Sequence, residues 1–189
     1  TKLKLTDREM VDFSLYQGLD VPEAALDQLR DAAGASQARR RAANILSARP
    51  LSRHELEKRL IEKGEAPAHA ASACDELERL GYLNDEQYAK TLAQYYVNRG
   101  YGPKKVRDEL YRRGVPRELW DSALEELETN NDALDRFVAS RLSRVENPDR
   151  KDIKRVSDAL LRRGYSWSDI SAALRRYTDH MEEWEEQNP

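Results

Sequence analysis

The sequence predicts an all-α protein: three tandem three-helix repeats of about fifty residues in an elongated curved array, behind a short N-terminal leader. Three observations carry this. Gly64, Gly114 and Gly164 recur at one spacing, each closing a charged stretch: Glu62-Lys63-Gly64, Arg112-Arg113-Gly114 and Arg162-Arg163-Gly164. The apolar residues around them keep a common register. The 189-residue chain is also poor in helix breakers, with 8 Gly and 7 Pro, while 35% of its residues are charged and only 7% aromatic.

The leader, residues 1–35, departs from the period and is mildly acidic. Thr1 to Leu5 alternates polar and apolar side chains and is a candidate strand end. Thr6-Asp7-Arg8-Glu9 opens a capped helix, and Pro22 to Arg30 forms a second one. Thr1 stands where a start methionine is expected, so the native start is expected upstream.

The repeats are placed at 36–82, 83–129 and 130–178. Their first helices present Ala38, Ala42 and Ile45; Tyr88, Leu92 and Tyr95; and Val138, Leu142 and Val145. Second helices align Leu56 with Val106 and Val156, Leu60 with Leu110 and Leu160, and Ile61 with Tyr111 and Leu161. Third helices align Ala70 with Trp120 and Ile170, Ala73 with Ala123 and Ala173, Cys74 with Leu124 and Leu174, and Leu77 with Leu127 and Tyr177. Offsets of three and four put each set on one helix face. Ser52 with Glu55 makes a capping box, Asn84 with Gln87 repeats its logic, and Pro103 fits a first helical turn, where no amide hydrogen is needed. Asp179 to Pro189, with 5 acidic and no basic residues, is expected to trail as an acidic tail or frayed helix.

Charge is sorted by helix. The second helices (53–63, 103–113 and 150–163) hold 15 basic and 7 acidic residues, the third helices (65–78, 115–128 and 165–178) 3 basic and 10 acidic, although the whole chain is at −3. Pairing alone would mix the signs, so a basic side is expected along the stack, suited to phosphates or an acidic protein groove. Opposite charges on a solvated helix surface would otherwise contribute a few tenths of a kcal/mol per pair.

Catalytic chemistry finds little support. Gly100-Tyr101-Gly102 has the outline of a phosphate loop, but Lys105 occupies the third glycine position, a helix precedes it, and Pro103 has no amide hydrogen. His54, His69 and His180 share no face with one another or with Cys74, which holds a core register, so neither a metal site nor a thiol nucleophile is expected. Glu125, Glu126 and Glu128 read as a solvated helix end. One cysteine and no apolar run of membrane length point to a cytoplasmic protein without cofactor or metal. Each second helix, glycine turn and third helix resembles a helix-turn-helix, yet Arg117 is the single base-reading side chain at the starts of the third helices, which argues against sequence-specific duplex recognition. Tyr101, Tyr111, Tyr165 and Trp167 are candidates for stacking on unpaired bases, with packing favoured for Tyr111 and Trp120.

Three segments are specific enough to carry a resemblance: Arg49-Pro50-Leu51-Ser52-Arg53-His54-Glu55-Leu56, Leu80-Gly81-Tyr82-Leu83-Asn84-Asp85-Glu86-Gln87-Tyr88-Ala89, and Arg99-Gly100-Tyr101-Gly102-Pro103-Lys104-Lys105-Val106-Arg107-Asp108-Glu109-Leu110. Together with Arg162-Arg163-Gly164-Tyr165-Ser166, they resemble the signature segments of the RecX family over roughly 36–178, with a weaker likeness through 6–34. The small Ala66-Pro67-Ala68-His69-Ala70 stretch departs from the expected apolar pattern. The resemblance implies a bacterial, cytoplasmic, non-catalytic regulator of RecA that binds its filament on single-stranded DNA and limits recombinase, ATPase and coprotease activities in DNA repair and the SOS response. It is expected to act as a monomer. The family motif covers Arg99, Lys104, Lys105 and Arg107 directly, and repeat register adds Arg112, Arg113, Lys154, Arg155, Arg162 and Arg163 to the expected partner- or DNA-binding face. The alternative is an autonomous, nonspecific DNA-binding protein acting through the same basic helices.

Overall fold

The computed structural model describes residues 3–128, 132–145 and 148–187, with the side chains of 126–128 and 180–187 outside the description. The described chain is helical, without a strand, and divides into two compact units, Thr1–Asn84 and Asp85–Pro189. No helix is long and apolar enough to cross a membrane among the described residues.

The first unit holds α1 (Asp7–Asp12), α2 (Glu23–Ala48), α3 (Arg53–Glu62) and α4 (Pro67–Arg79). Residues 3–6 have no regular structure, which corrects the candidate strand over its described part. The Thr6 hydroxyl accepts the Glu9 amide while the Glu9 carboxylate accepts that of Thr6, so the chain enters α1 with its first amides satisfied. α2 runs straight through the expected boundary at 35/36, joining the second leader helix to the first repeat helix. Nothing between them breaks a helix, and Gly34 is kept because a Cβ there would run into the His69 ring.

That ring, held by Asp31 at 2.8 Å, marks where α4 lies closely on α2. Ala38 and Ala42 on α2 meet Ala70, Ala73 and Cys74 on α4, all buried. The small stretch before Ala70 thus serves a close helix pair, where large side chains would hold the backbones apart. Leu51, Leu56, Leu60, Leu77 and Leu83 complete this core. Burying each leucine contributes about 1.5–3 kcal/mol.

The second unit contains two helix triplets. One is α5 (Asp85–Asn98), α6 (Pro103–Arg112) and α7 (Trp120–Glu128), with a 3-10 turn at Arg117–Leu119. Ala89, Leu92, Ala93, Val106, Leu110, Val115, Ala123 and Leu124 form its core. The other is α8 (Asp132–Leu142), α9 (Arg150–Arg162) and α10 (Trp167–Gln187), around Leu134, Val138, Leu142, Val156, Leu160, Ile170 and Ala173. α10 carries the helical backbone continuously into the expected acidic tail, whose side chains from 180 onward lie outside the description, as do those of Glu126, Leu127 and Glu128.

One aligned set leaves the core. Ile61, Tyr111 and Leu161 are 41%, 67% and 44% exposed. Each follows a buried leucine by one residue, so it is rotated about 100° beyond the apolar stripe. Tyr95 is likewise exposed, with the Arg99 guanidinium 4.4 Å over its ring, while its neighbour Tyr96 packs on the core. Trp120 does pack, donating its indole N–H to the Val115 carbonyl at 3.0 Å.

Candidate basic interface

The ten expected interface residues all fall in the second unit, nine on α6 and α9 or their C-caps and Arg99 just after α5, and the fold sorts them into three groups. Lys104, Lys154 and Arg162 are exposed on outer helix surfaces. Arg155 is also exposed, 3.2 Å from Asp152, and Arg107 is half-buried. Arg99 is exposed over Tyr95.

The next group gathers around a buried acid, although Arg112 itself stays exposed. Glu109 is buried, at 4% exposure, beside Val106 and Leu110 on the core side of α6. Its carboxylate lies 3.2 Å from Lys105 Nζ, 2.8 Å from Arg112 and 3.9 Å from Arg113. Arg113 also donates to the Tyr88 hydroxyl at 2.9 Å. A buried carboxylate needs such partners, because leaving it unpaired in a low-dielectric interior is costly. Three of the expected cations thus neutralise an acid of their own helix, and Arg113 also ties the end of α6 to α5 through Tyr88. The signal was in the sequence: Glu109 falls on the apolar stripe, four residues after Lys105 and three and four before the arginines.

Arg163 forms the third group, with the glycines near it. Its Nη1 donates to the carbonyls of Arg99 at 3.2 Å and Gly100 at 3.1 Å. Its guanidinium lies 4.7 Å from the Phe137 ring centre and 5.8 Å from that of Tyr101. Beside it, Gly102 N–H donates to the Arg163 carbonyl at 2.9 Å and Lys104 N–H to the Gly164 carbonyl at 3.1 Å. The start of α6 therefore meets the end of α9, which joins a positive helix end to a negative one. The amides that the Gly100-Tyr101-Gly102 sequence would offer to an anion are spent inside the protein, those of Gly100 and Tyr101 on the Val97 and Tyr96 carbonyls at the end of α5 and that of Gly102 on Arg163.

The candidate stacking rings divide as well. Tyr111 and Trp167 are exposed. Tyr101 packs edge-on to Tyr96 at 5.6 Å. Tyr165 packs on the α8–α10 core, where burial pushes its hydroxyl pKa up against the opposing pull of Arg163. No group of three or more His, Cys, Asp or Glu is placed to hold a metal ion among the described residues. Cys74 is buried, and desolvation pushes its thiol up to about 12, far from a nucleophile's range.

Comparison with known proteins places both parts of this geometry. Residues 38–77 match the model of the RecX first three-helix domain and residues 84–124 that of the RecX second three-helix domain. A regulatory protein RecX of Halorhodospira halophila is 32% identical over 77% of this chain and 91% of its own length. That of Pseudomonas fluorescens Pf-5 is 33% identical over 72% of this chain and 88% of its own. Among solved structures, a regulatory protein RecX shares the fold at a TM-score of 0.76 and 19% identity, covering 90% of this chain and 86% of that one. RecX from Lactobacillus salivarius does so at 0.66 and 22%, covering 77% and 97%. With residues 38–77 and 84–124 matched by the family's domain models and its relatives matched over most of their length, this chain belongs to the RecX family of regulatory proteins.

Proposed function

We propose that this protein is a cytoplasmic, monomeric, non-catalytic regulator of RecA. In this reading its helix triplets, three in all, lie along the RecA filament on single-stranded DNA and restrain its ATPase, strand-exchange and coprotease activities. The observation that carries the reading is the exposure of Lys104 on α6 and of Lys154 and Arg162 on α9, while Lys105, Arg112 and Arg113 lie against Glu109 and Arg163 is taken up in the α6–α9 contact. Cations left to solvent on successive repeats suit a partner that itself repeats and carries negative charge. Several weak contacts then act as one strong contact through effective concentration.

The test is the ATPase rate of cognate RecA on single-stranded DNA, titrated with this protein well below one copy per RecA. The rate falls at low ratios, and Lys104→Glu/Lys154→Glu/Arg162→Glu abolishes the fall while the circular dichroism spectrum stays unchanged. An unaltered rate at equal concentrations overturns the proposal. Submicromolar binding to bare DNA that weakens steeply with salt would then assign the same face to nonspecific DNA binding.

A further inference from the structure

Three equivalent helices, α3, α6 and α9, begin in two ways. α3 is capped by Ser52, whose hydroxyl accepts the Glu55 amide at 3.1 Å, with Glu55 accepting in return from Ser52 N–H. α9 is capped by Asp149, which accepts from Lys151 at 2.7 Å and Asp152 at 2.9 Å. α6 starts at Gly102 without a side-chain cap, and Pro103 follows. Its exposed donors are met instead by the Arg163 and Gly164 carbonyls, from the other triplet of the same unit.

The glycines make this approach possible. A Cβ on Gly102 would sit 2.6 Å from the Gly164 carbonyl carbon and oxygen and from the Tyr165 nitrogen. A Cβ on Gly164 would sit 2.5 Å from the Lys105 nitrogen. Gly102 has φ −85°, a value any residue adopts, so the turn does not demand glycine there and the close contact does. Arg163 closes the joint through its two carbonyl contacts and its place over Phe137 and Tyr101.

We infer that Gly102, Arg163 and Gly164 form a joint that locks the α5–α7 and α8–α10 triplets together. The joint fixes the outer faces of α6 and α9 relative to one another, and the three residues are positioning residues for partner binding. The inference rests on the proposed reading for its partner, but the joint has a readout of its own. With the joint closed, contacts at Lys104 and at Lys154 and Arg162 form on one pre-set body. With it open, each helix binds on its own and the ordering cost falls on binding.

Gly102→Ala adds a methyl group without altering charge or straining φ. Hydrogen exchange followed by mass spectrometry is expected to show fast exchange of the peptide spanning residues 101–105 in this variant and slow exchange in the parent, while the α6 core around Leu110 stays protected in both. Affinity for the RecA filament on single-stranded DNA should fall by about tenfold or more. Arg163→Met, which keeps the backbone contacts and removes the guanidinium, should give the same pattern to a lesser degree and stands in if the alanine variant does not fold. Gly64→Ala is the control for local backbone strain: Gly64 has φ +88°, as Gly164 does, but nothing lies within 4 Å of an added Cβ, so the variant carries strain without a clash at the joint. It should leave both readouts at their parental values. Unchanged exchange at 101–105 in Gly102→Ala and Arg163→Met overturns the joint. Accelerated exchange with unchanged filament affinity overturns the positioning role. If the parent protein does not bind the filament at all, the proposed function fails, and exchange still decides the joint.

Discussion

α3 in the first unit and α6 in the second occupy the same repeat register, yet they are held in place differently. α3 is finished by its own side chains, with the Ser52–Glu55 box at its start and Leu56 and Leu60 in its core. α6 has an equivalent apolar face but begins on backbone donated to another triplet, and carries Glu109 inside. Their charges differ too. In the first unit, cations pair across helices: Arg53 with Asp75 at 2.5 Å and with Glu78, Arg39 with Glu76 at 3.0 Å, and Arg41 with buried Glu65 at 2.8 Å. In the second, Arg176 on α10 pairs across to Asp135 on α8 at 2.6 Å, but on α6 Lys105 and Arg112 meet an acid of their own helix, and Lys104, Lys154 and Arg162 face solvent. The lesson is that one charge pattern serves two purposes. Sorting basic from acidic residues between adjacent helices ties those helices together in one unit and leaves a basic surface in the other.

Core substitutions give the largest effect that tests this comparison. Leu60→Ala and Leu110→Ala remove equivalent buried leucines, each at a cost of about 2–5 kcal/mol. Hydrogen exchange should show Leu60→Ala exposing α3 and α4 amides while α6 stays protected, and Leu110→Ala the reverse. Equal loss of protection in both units would show that the units share one cooperative core. A smaller effect is expected at the cap. Ser52→Ala should lower the stability of the first unit by about 1 kcal/mol in urea denaturation, because the Glu55 amide loses its acceptor. A loss confined to the second unit would contradict the assignment.

The smallest effect at neutral pH concerns buried acids of opposite units. Burial raises Cys74 from 9.0 to about 12, so its contribution is complete below pH 9.0 and is lost as pH rises toward 12. Burial also raises Tyr165 above 10.0, so the second unit keeps that contribution until pH passes 10.0. Alkaline melting should therefore weaken the first unit first. In Cys74→Ala that early decline should vanish, and its persistence would place the cause elsewhere.

Much of the fold was legible in the residues. The starts of α3 and α6 at Arg53 and Pro103 follow from Ser52 and Pro103, since caps and prolines act over one turn. The continuous α2 was not legible, because the period in the apolar pattern says where repeats align and not whether the chain bends between them. The exposure of Tyr111 escaped the register argument, which treats adjacent apolar residues alike although they point about 100° apart. At the candidate interface the sequence supplied the cations and only part of their division. Spacing from Glu109 marks Lys105, Arg112 and Arg113, but Arg163 looks the same in the sequence as Lys104 and Arg162.

The sequence by itself determined the all-α class, the family, the helix starts and the apolar stripes, because propensity, capping and periodicity are local and are written within one or two turns. Tertiary structure decided which charges remain available and why Gly102 and Gly164 are glycines. Those answers depend on which backbone lies opposite: at Gly102 it is the Gly164 carbonyl, which accepts from Lys104 N–H and lies too close to admit a methyl group.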